Sequence, residues 1–271
     1  MAGPVALVGC GKMGGALLGG WLDRGMAPGD ITVIEPGDGL AAEITARHGV
    51  TVHTAPDELA QGFAPAVVLF AVKPQTVDEV APAYRAFAGA GTVFLTIAAG
   101  KTVAGFERHL GETAAVVRAM PNTPAAVRRG IAVAFANANV SDGQRAECQA
   151  LLEAVGEVAW VDDEGLLDPV TAVSGSGPAY VFLMIECLAE AGIAAGLPED
   201  LSSRLARATV AGSGELARLS PEPAGVLRQN VTSPGGTTAA ALEVLMGPGG
   251  LEPLMVRAVE AATRRSRELA S

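Results

Sequence analysis

Six residues near the start of the chain, Gly9-Cys10-Gly11-Lys12-Met13-Gly14, constrain its fold more than any other stretch. They interrupt a short apolar run, Val5-Ala6-Leu7-Val8, and pass into a helical pattern that reaches Trp21 and Leu22, so they read as strand, turn and helix. In that setting each glycine has a mechanical task. Gly9 makes the turn, Gly11 lets a pyrophosphate approach the helix N-terminus, and Gly14 allows helix and strand to pack closely. With 34 glycines in the chain the spacing alone would mean little. A second strand, Ile31 to Ile34, ends on Glu35, about 20 residues after the motif, where the dinucleotide fingerprint expects an acid for the ribose 2′-OH.

The pattern continues as α/β to about residue 161. Apolar runs at Ala66 to Ala71, Thr92 to Ile97, Ala114 to Ala119, Ile131 to Ala136 and Glu157 to Val161 predict further strands, separated by amphipathic stretches. Ser141-Asp142-Gly143-Gln144 has capping-box spacing and predicts a helix start. Past Asp162-Asp163-Glu164 the alternation ends, and long apolar-periodic segments are punctuated at Gly177-Pro178, Leu197-Pro198 and Ser220-Pro221, so this half is helical. The expected division is a nucleotide-binding domain over residues 1–162 and a helical domain over 163–271, with a cleft between them.

In a doubly wound sheet the ligand lies beyond the carboxyl ends of the strands. The segments expected there are Ala71-Val72-Lys73-Pro74, Ile97-Ala98-Ala99-Gly100 and Met120-Pro121-Asn122-Thr123-Pro124, which offer small side chains, open backbone, one lysine and one amide. Lys73 reads either as a solvated loop charge or as a cofactor-facing cation. In the helical half, Asn230-Val231-Thr232-Ser233-Pro234-Gly235-Gly236-Thr237-Thr238-Ala239 gathers hydroxyls, bare backbone and a helix start. It reads as an ordinary helix start after a glycine turn, or as a site for a small carboxylate.

The three lysines (Lys12, Lys73, Lys101) and three histidines (His48, His53, His109) all lie in the first domain. A ketone or alcohol dehydrogenase usually needs a placed Lys, His or Tyr for its proton. The helical half offers only Ser, Thr, Arg, acids and Tyr180. A substrate with a C=N bond that carries its own proton removes that need. It leaves the protein to bind a carboxylate and to orient the reacting carbon.

A net charge of −10 without a basic stripe excludes nucleic acid as a partner. Cys10, Cys148 and Cys187 are odd in number and lack Cys-x-x-Cys spacing, so neither a disulfide framework nor a metal site is expected, and a reducing, cytoplasmic setting follows. No leader is visible. The apolar stretch Pro178 to Leu197 carries Glu186 and Glu190, costly in lipid, and reads as a helix in a protein interface and not as a membrane span. Charged residues make up 18% of the chain against a norm of about a quarter. That points to surface buried in a dimer or an assembly of dimers.

Taken together, Ser174-Gly175-Ser176-Gly177-Pro178-Ala179-Tyr180, Met120-Pro121-Asn122-Thr123-Pro124, Ala71-Val72-Lys73-Pro74-Gln75 and the Ser233 to Thr238 loop closely resemble the pyrroline-5-carboxylate reductases, in the same order over residues 5–268. The resemblance implies a Rossmann domain followed by an all-α dimerisation domain of the 6-phosphogluconate-dehydrogenase-like type, and reduction of 1-pyrroline-5-carboxylate to L-proline with NAD(P)H. It implies that Gly9, Gly11, Lys12, Met13 and Gly14 hold the pyrophosphate, that Val72, Lys73 and Pro74 hold the ribose region, and that Ala98, Ala99, Gly100 and Asn230 line the nicotinamide side. Substrate carboxylate would meet the amides after Gly236, at Thr237 and Thr238, with Ser233 nearby and Glu164 close to the ring. Thr238 would bond the ring nitrogen, which makes Thr238 and Ser233 the candidate catalytic residues. Glu35, followed by no arginine until Arg47, leans the cofactor expectation toward NADH. A β-hydroxyacid dehydrogenase, the nearest rival, resembles enzymes with a catalytic lysine in the second domain, and this chain has none there. A nucleotide-binding sensor without turnover would have no use for the second loop.

Overall fold

A computed structural model describes residues 3–89 and 91–270. Eight strands form one sheet: β1 Val5–Val8, β2 Ile31–Ile34, β3 Thr51–His53, β4 Val67–Phe70, β5 Val93–Thr96, β6 Ala115–Met120, β7 Gly130–Ala136 and β8 Gly156–Trp160. Their spatial order is β3-β2-β1-β4-β5-β6-β7-β8. The first six run parallel, β7 is antiparallel to β6, and β8 is parallel to β7. Strand order reverses between β1 and β4, which creates a crevice beyond their carboxyl ends.

The helices of the α/β part are α1 Lys12–Asp23, α2 Asp38–His48, α3 Val77–Val80, α4 Val103–Leu110 and α5 Asp142–Glu153, with several short 3-10 turns between. The parallel strands are continuous apolar runs because both faces of the sheet are covered. One face packs Leu17, Leu18 and Trp21 of α1 with Cys148, Leu151 and Leu152 of α5, and the Trp21 indole N–H donates to the Leu151 carbonyl at 2.9 Å. The other face is aromatic, with Phe70 against Tyr84, Phe94 and Phe106 at centroid distances of 5.3, 6.4 and 5.2 Å. Ser141 caps α5 in the reciprocal arrangement expected, accepting from Gln144 N while the Gln144 side chain accepts from Ser141 N at 2.9 Å.

Beyond the sheet lie α6 Leu167–Val170, a π-helical turn Thr171–Gly175, α7 Gly177–Ala194, α8 Glu199–Leu219, α9 Ala224–Asn230, α10 Thr237–Leu245 and α11 Leu251–Ala270. By its contacts the chain forms two compact units, Ser176–Ala261 being the second. The first therefore retains α6 and the π-helical turn and takes back the end of α11. The reason is visible in the hydrogen bond of 2.6 Å from the Ser266 hydroxyl to Asp168, which ties the end of α11 to α6. Compared with a boundary near residue 162, the segment 163–175 stays with the sheet.

The second unit is built differently. In α7, α9 and α10 no residue is buried, and α8 buries only Ser202 and Ala206. α7 and α8 pack on each other, with the Ser202 hydroxyl donating to the Ala189 carbonyl at 2.6 Å. Much of their remaining apolar surface stays open, including Phe182, 59% exposed, and Leu183, 57% exposed.

Candidate active site

The turn between β1 and α1 has the form a dinucleotide needs. Gly9 has φ +84°, a left-handed conformation, and a Cβ there would lie 2.8 Å from Val72 Cγ1. A Cβ on Gly14 would sit 2.5 Å from the Gly9 carbonyl and 3.3 Å from Ala71 Cβ, so helix and strands could not approach as they do. At Gly11, by contrast, a side chain would meet nothing within 4 Å. This is the exposed glycine at the N-cap of α1, and no side-chain cap or first-turn acid competes for the free N–H groups. Turn, packing and open approach are thus divided among the three glycines, and the residues fit a bound dinucleotide phosphate.

Glu35 closes this turn from the end of β2. Its carboxylate accepts from Cys10 N at 2.9 Å and from Gly37 N at 3.2 Å, which holds it half-buried beside the glycine loop. Burial first, and the Glu35 charge second, push the Cys10 thiol up to about 11. It is therefore neutral at physiological pH and no nucleophile.

Past β4, Val72 and Pro74 are half-buried and Lys73 is exposed, with Thr76 Oγ1 donating to the Lys73 carbonyl at 2.9 Å. Past β5, Ala98 is buried, Ala99 exposed, and Gly100 adopts φ +72°. The two loops are joined by Asp78, which binds Lys101 Nζ at 2.6 Å and His109 Nε2 at 3.1 Å. Lys101 first, then His109, hold the Asp78 carboxyl below its ordinary range. Lys101 is thus paired, while Lys73 is exposed and has no ion pair among the described residues.

Past β6 the side chain of Asn122 is turned inward. Its Oδ1 accepts from Ile131 N at 3.0 Å, so this half of the amide braces the strand that follows, where its place after β6 suggested an amide facing a ligand. Met120 packs where Gly175 has no side chain, since a Cβ there would lie 2.5 Å from Met120 Cε. Met120 and Gly175, from two of the motifs, are neighbours for that reason.

Glu164 stands in the first unit. Its Oε1 accepts from Val103 N at 2.9 Å, at the start of α4, and from Arg118 Nη1 at 2.8 Å. Arg118 and Asp78 are functional candidates that the sequence reading missed. The one available signal was an arginine within the apolar run Ala115–Met120.

In the second unit, Asn230 is the exposed last residue of α9, and Ser233 to Gly236 turn into α10, with Gly235 at φ +69° and Gly236 N donating to the Ser233 carbonyl at 3.0 Å. α10 starts at Thr237 with Gly236 as N-cap and no side-chain cap, so the hydroxyls of Ser233, Thr237 and Thr238 are not used to cap it. Thr238 is half-buried and Thr237 exposed. Free amides, a helix dipole and uncommitted hydroxyls converge there without an opposing acid in the first turn. Tyr180 lies half-buried in the first turn of α7.

Comparison with known proteins gives the same picture along the whole chain. A family described as pyrroline-5-carboxylate reductase dimerisation matches residues 164–269, and one described as coenzyme F420-dependent NADP oxidoreductase matches residues 4–100. The chain is 40% identical to a pyrroline-5-carboxylate reductase of Pseudomonas aeruginosa over 98% of its own length and 96% of that protein's. Among solved structures, a pyrroline-5-carboxylate reductase from Coxiella burnetii is 33% identical with a TM-score of 0.94, each chain covered in full. Plasmodium falciparum pyrroline carboxylate reductase, solved with NADP bound, is 28% identical with a TM-score of 0.82, over 100% of this chain and 99% of that one. With its glycine turn, its strand-end loops and its full-length likeness to these enzymes, the chain belongs to the pyrroline-5-carboxylate reductase family.

Proposed function

We propose that this protein reduces 1-pyrroline-5-carboxylate to L-proline, with NAD(P)H as the cofactor. NAD(P)H, when bound, supplies the hydride that adds to the C=N carbon. Gly9, Gly11, Lys12, Met13 and Gly14 bind its pyrophosphate, Val72, Lys73 and Pro74 its ribose region, and Ala98, Ala99, Gly100 and Asn230 the nicotinamide side.

The observation that carries the substrate half is the start of α10. With Gly236 as a bare N-cap, the amides at Thr237 and Thr238 are available to a carboxylate, and the Thr238 hydroxyl is free to bond the ring nitrogen. As the nitrogen becomes an amine it gains a lone pair, to which the Thr238 O–H can donate; the iminium cannot accept that bond, so it favours the transition state over the ground state. Ser233 supplies a second hydroxyl, and Glu164 stands close to the ring. Reduction of the imine consumes one hydride and one proton, and the proton arrives with the iminium form of the substrate. The chain therefore needs no lysine or histidine in the helical unit.

Glu35 favours NADH. Its carboxylate is anchored beside the glycine loop, where it can accept from a ribose 2′-OH and would repel a 2′-phosphate. The enzyme works in the cytoplasm as a dimer or an assembly of dimers, with α7 in the interface. By length and composition the stretch Glu164–Ala194 could cross a membrane, yet its apolar faces are those a second copy of the helical unit would cover.

The test is consumption of NADH or NADPH with racemic 1-pyrroline-5-carboxylate at neutral pH. Nicotinamide should be oxidised only when the imino acid is present, and proline should accumulate. A folded sample that binds cofactor but turns over no five- or six-membered cyclic imino acid would refute the proposal.

A further inference from the structure

A buried charge needs a partner, and in the sheet unit one such charge is answered from far along the chain. Arg118 lies on β6 with its side chain only 7% exposed, paired in register with Thr96 of β5 on one side and Phe135 of β7 on the other. An unpaired guanidinium at that depth would be strongly destabilising. Its partner is Glu164, 46 residues on, at 2.8 Å. The same carboxylate oxygen also accepts from Val103 N, 61 residues back, at 2.9 Å.

Between Thr96 and Val103 runs the loop with Ala98, Ala99 and Gly100. It is pinned at its start by Ala98 N donating to Thr96 Oγ1 at 3.2 Å, and at its end by Val103 N on Glu164. Both bonds of Glu164 fall on Oε1, and Oε2 accepts none among the described residues. A carboxylate held by one oxygen, with the other uncommitted, is oriented but not used up.

We infer that Arg118 is a positioning residue that acts through Glu164 on both halves of the reaction, holding the acid for the substrate ring and, through Val103, the Ala98–Gly100 loop for the nicotinamide. This rests on the functional reading above. Arg118 itself touches neither ligand. Because the two loads share one carboxylate, loss of the guanidinium displaces both. Displacements of about 1 Å in such a support can cost up to about a hundredfold in rate.

The test compares wild type, Arg118→Met, Arg118→Lys and Glu164→Asp in the full-length protein. It measures KM for 1-pyrroline-5-carboxylate, kcat, and the Kd of NADPH by fluorescence titration without substrate. Arg118→Met should raise both the substrate KM and the NADPH Kd by about tenfold. Arg118→Lys should recover most of both, since it restores the cation. Arg118→Met combined with Glu164→Asp should be no worse than the poorer single variant, as expected for two residues on one path. Should Arg118→Met fail to fold, Glu164→Asp decides, because its shorter side chain cannot reach Arg118 and Val103 together and should move both constants. Constants within twofold of wild type alongside a lower Tm would overturn the inference, and so would a change in the substrate KM alone. A wild-type protein without turnover would instead condemn the functional reading, while the NADPH Kd would still report on the loop.

Discussion

The two units of this chain keep their apolar residues in opposite places. The sheet unit buries Trp21, Tyr84, Phe70, Phe94 and Phe106 to less than 2% exposure, whereas α7 leaves Phe182 at 59% and Leu183 at 57%. Covering each such side chain is worth about 1.5–3 kcal/mol. The first unit has made that gain within its own chain. In the second, the open apolar surface is what the proposed association would cover, and a helix as apolar as α7, with only Glu186 and Glu190 charged, is a sign of a missing neighbour.

The sharpest way to break the comparison is to make matched cuts in the two units. Leu95→Ala, in the centre of the sheet, should cost about 2–5 kcal/mol of stability at any protein concentration. Phe182→Asp should act through association, with a Tm that depends on concentration and a sample that drifts toward monomer in light scattering. Its activity should fall more than the sheet variant's at equal folded fraction. A monomeric wild type at micromolar concentration, fully active, would show that the open face of the second unit has another purpose.

A smaller effect separates chemistry from scaffold within the helical unit. Thr238→Ala should lower kcat/KM by about tenfold to a thousandfold, the range for one polar group at a reacting centre, while cofactor affinity stays near wild type. Since the hydroxyl caps nothing, Tm should hardly move. Near-full activity in this variant would remove Thr238 from the site.

The smallest effect belongs to the sheet unit. Glu35→Ser should shift the ratio of kcat/KM for NADPH over NADH toward NADPH by up to about tenfold, the scale of one hydrogen bond and one repulsion. It should also loosen the glycine turn, because Cys10 N and Gly37 N lose their acceptor. An unchanged ratio with weaker binding of both cofactors would mean that Glu35 only braces the turn. A tenfold preference of the wild type for NADPH would end the lean toward NADH.

Much of this was legible because it rests on local chemistry. The run from Val5 through Gly14 folds as read, since strand, turn and helix are each dictated by neighbours in sequence. The Ser141 capping box and the start of α10 at Thr237 are equally local. β3 was not legible. Thr51-Val52-His53 is three residues long at the sheet's edge, too short to show alternation, and it is held as a strand by pairing with β2. The loops named from the sequence do follow β4, β5 and β6, but Asn122 Oδ1 is turned to the chain's own backbone, at Ile131 N.

By itself, then, the sequence determined the order of elements, the glycine turn, the helical second half and the family, because periodicity, turn residues and motif spacing are properties of neighbouring residues. Only the tertiary structure decided which distant polar groups meet. Arg118 and Glu164, Asp78 and Lys101, and Asp168 and Ser266 are 46, 23 and 98 residues apart. Nothing local marks them as partners, and they pair because the sheet and the helices packed on it bring them within reach, where burial makes the pairing of Arg118 obligatory.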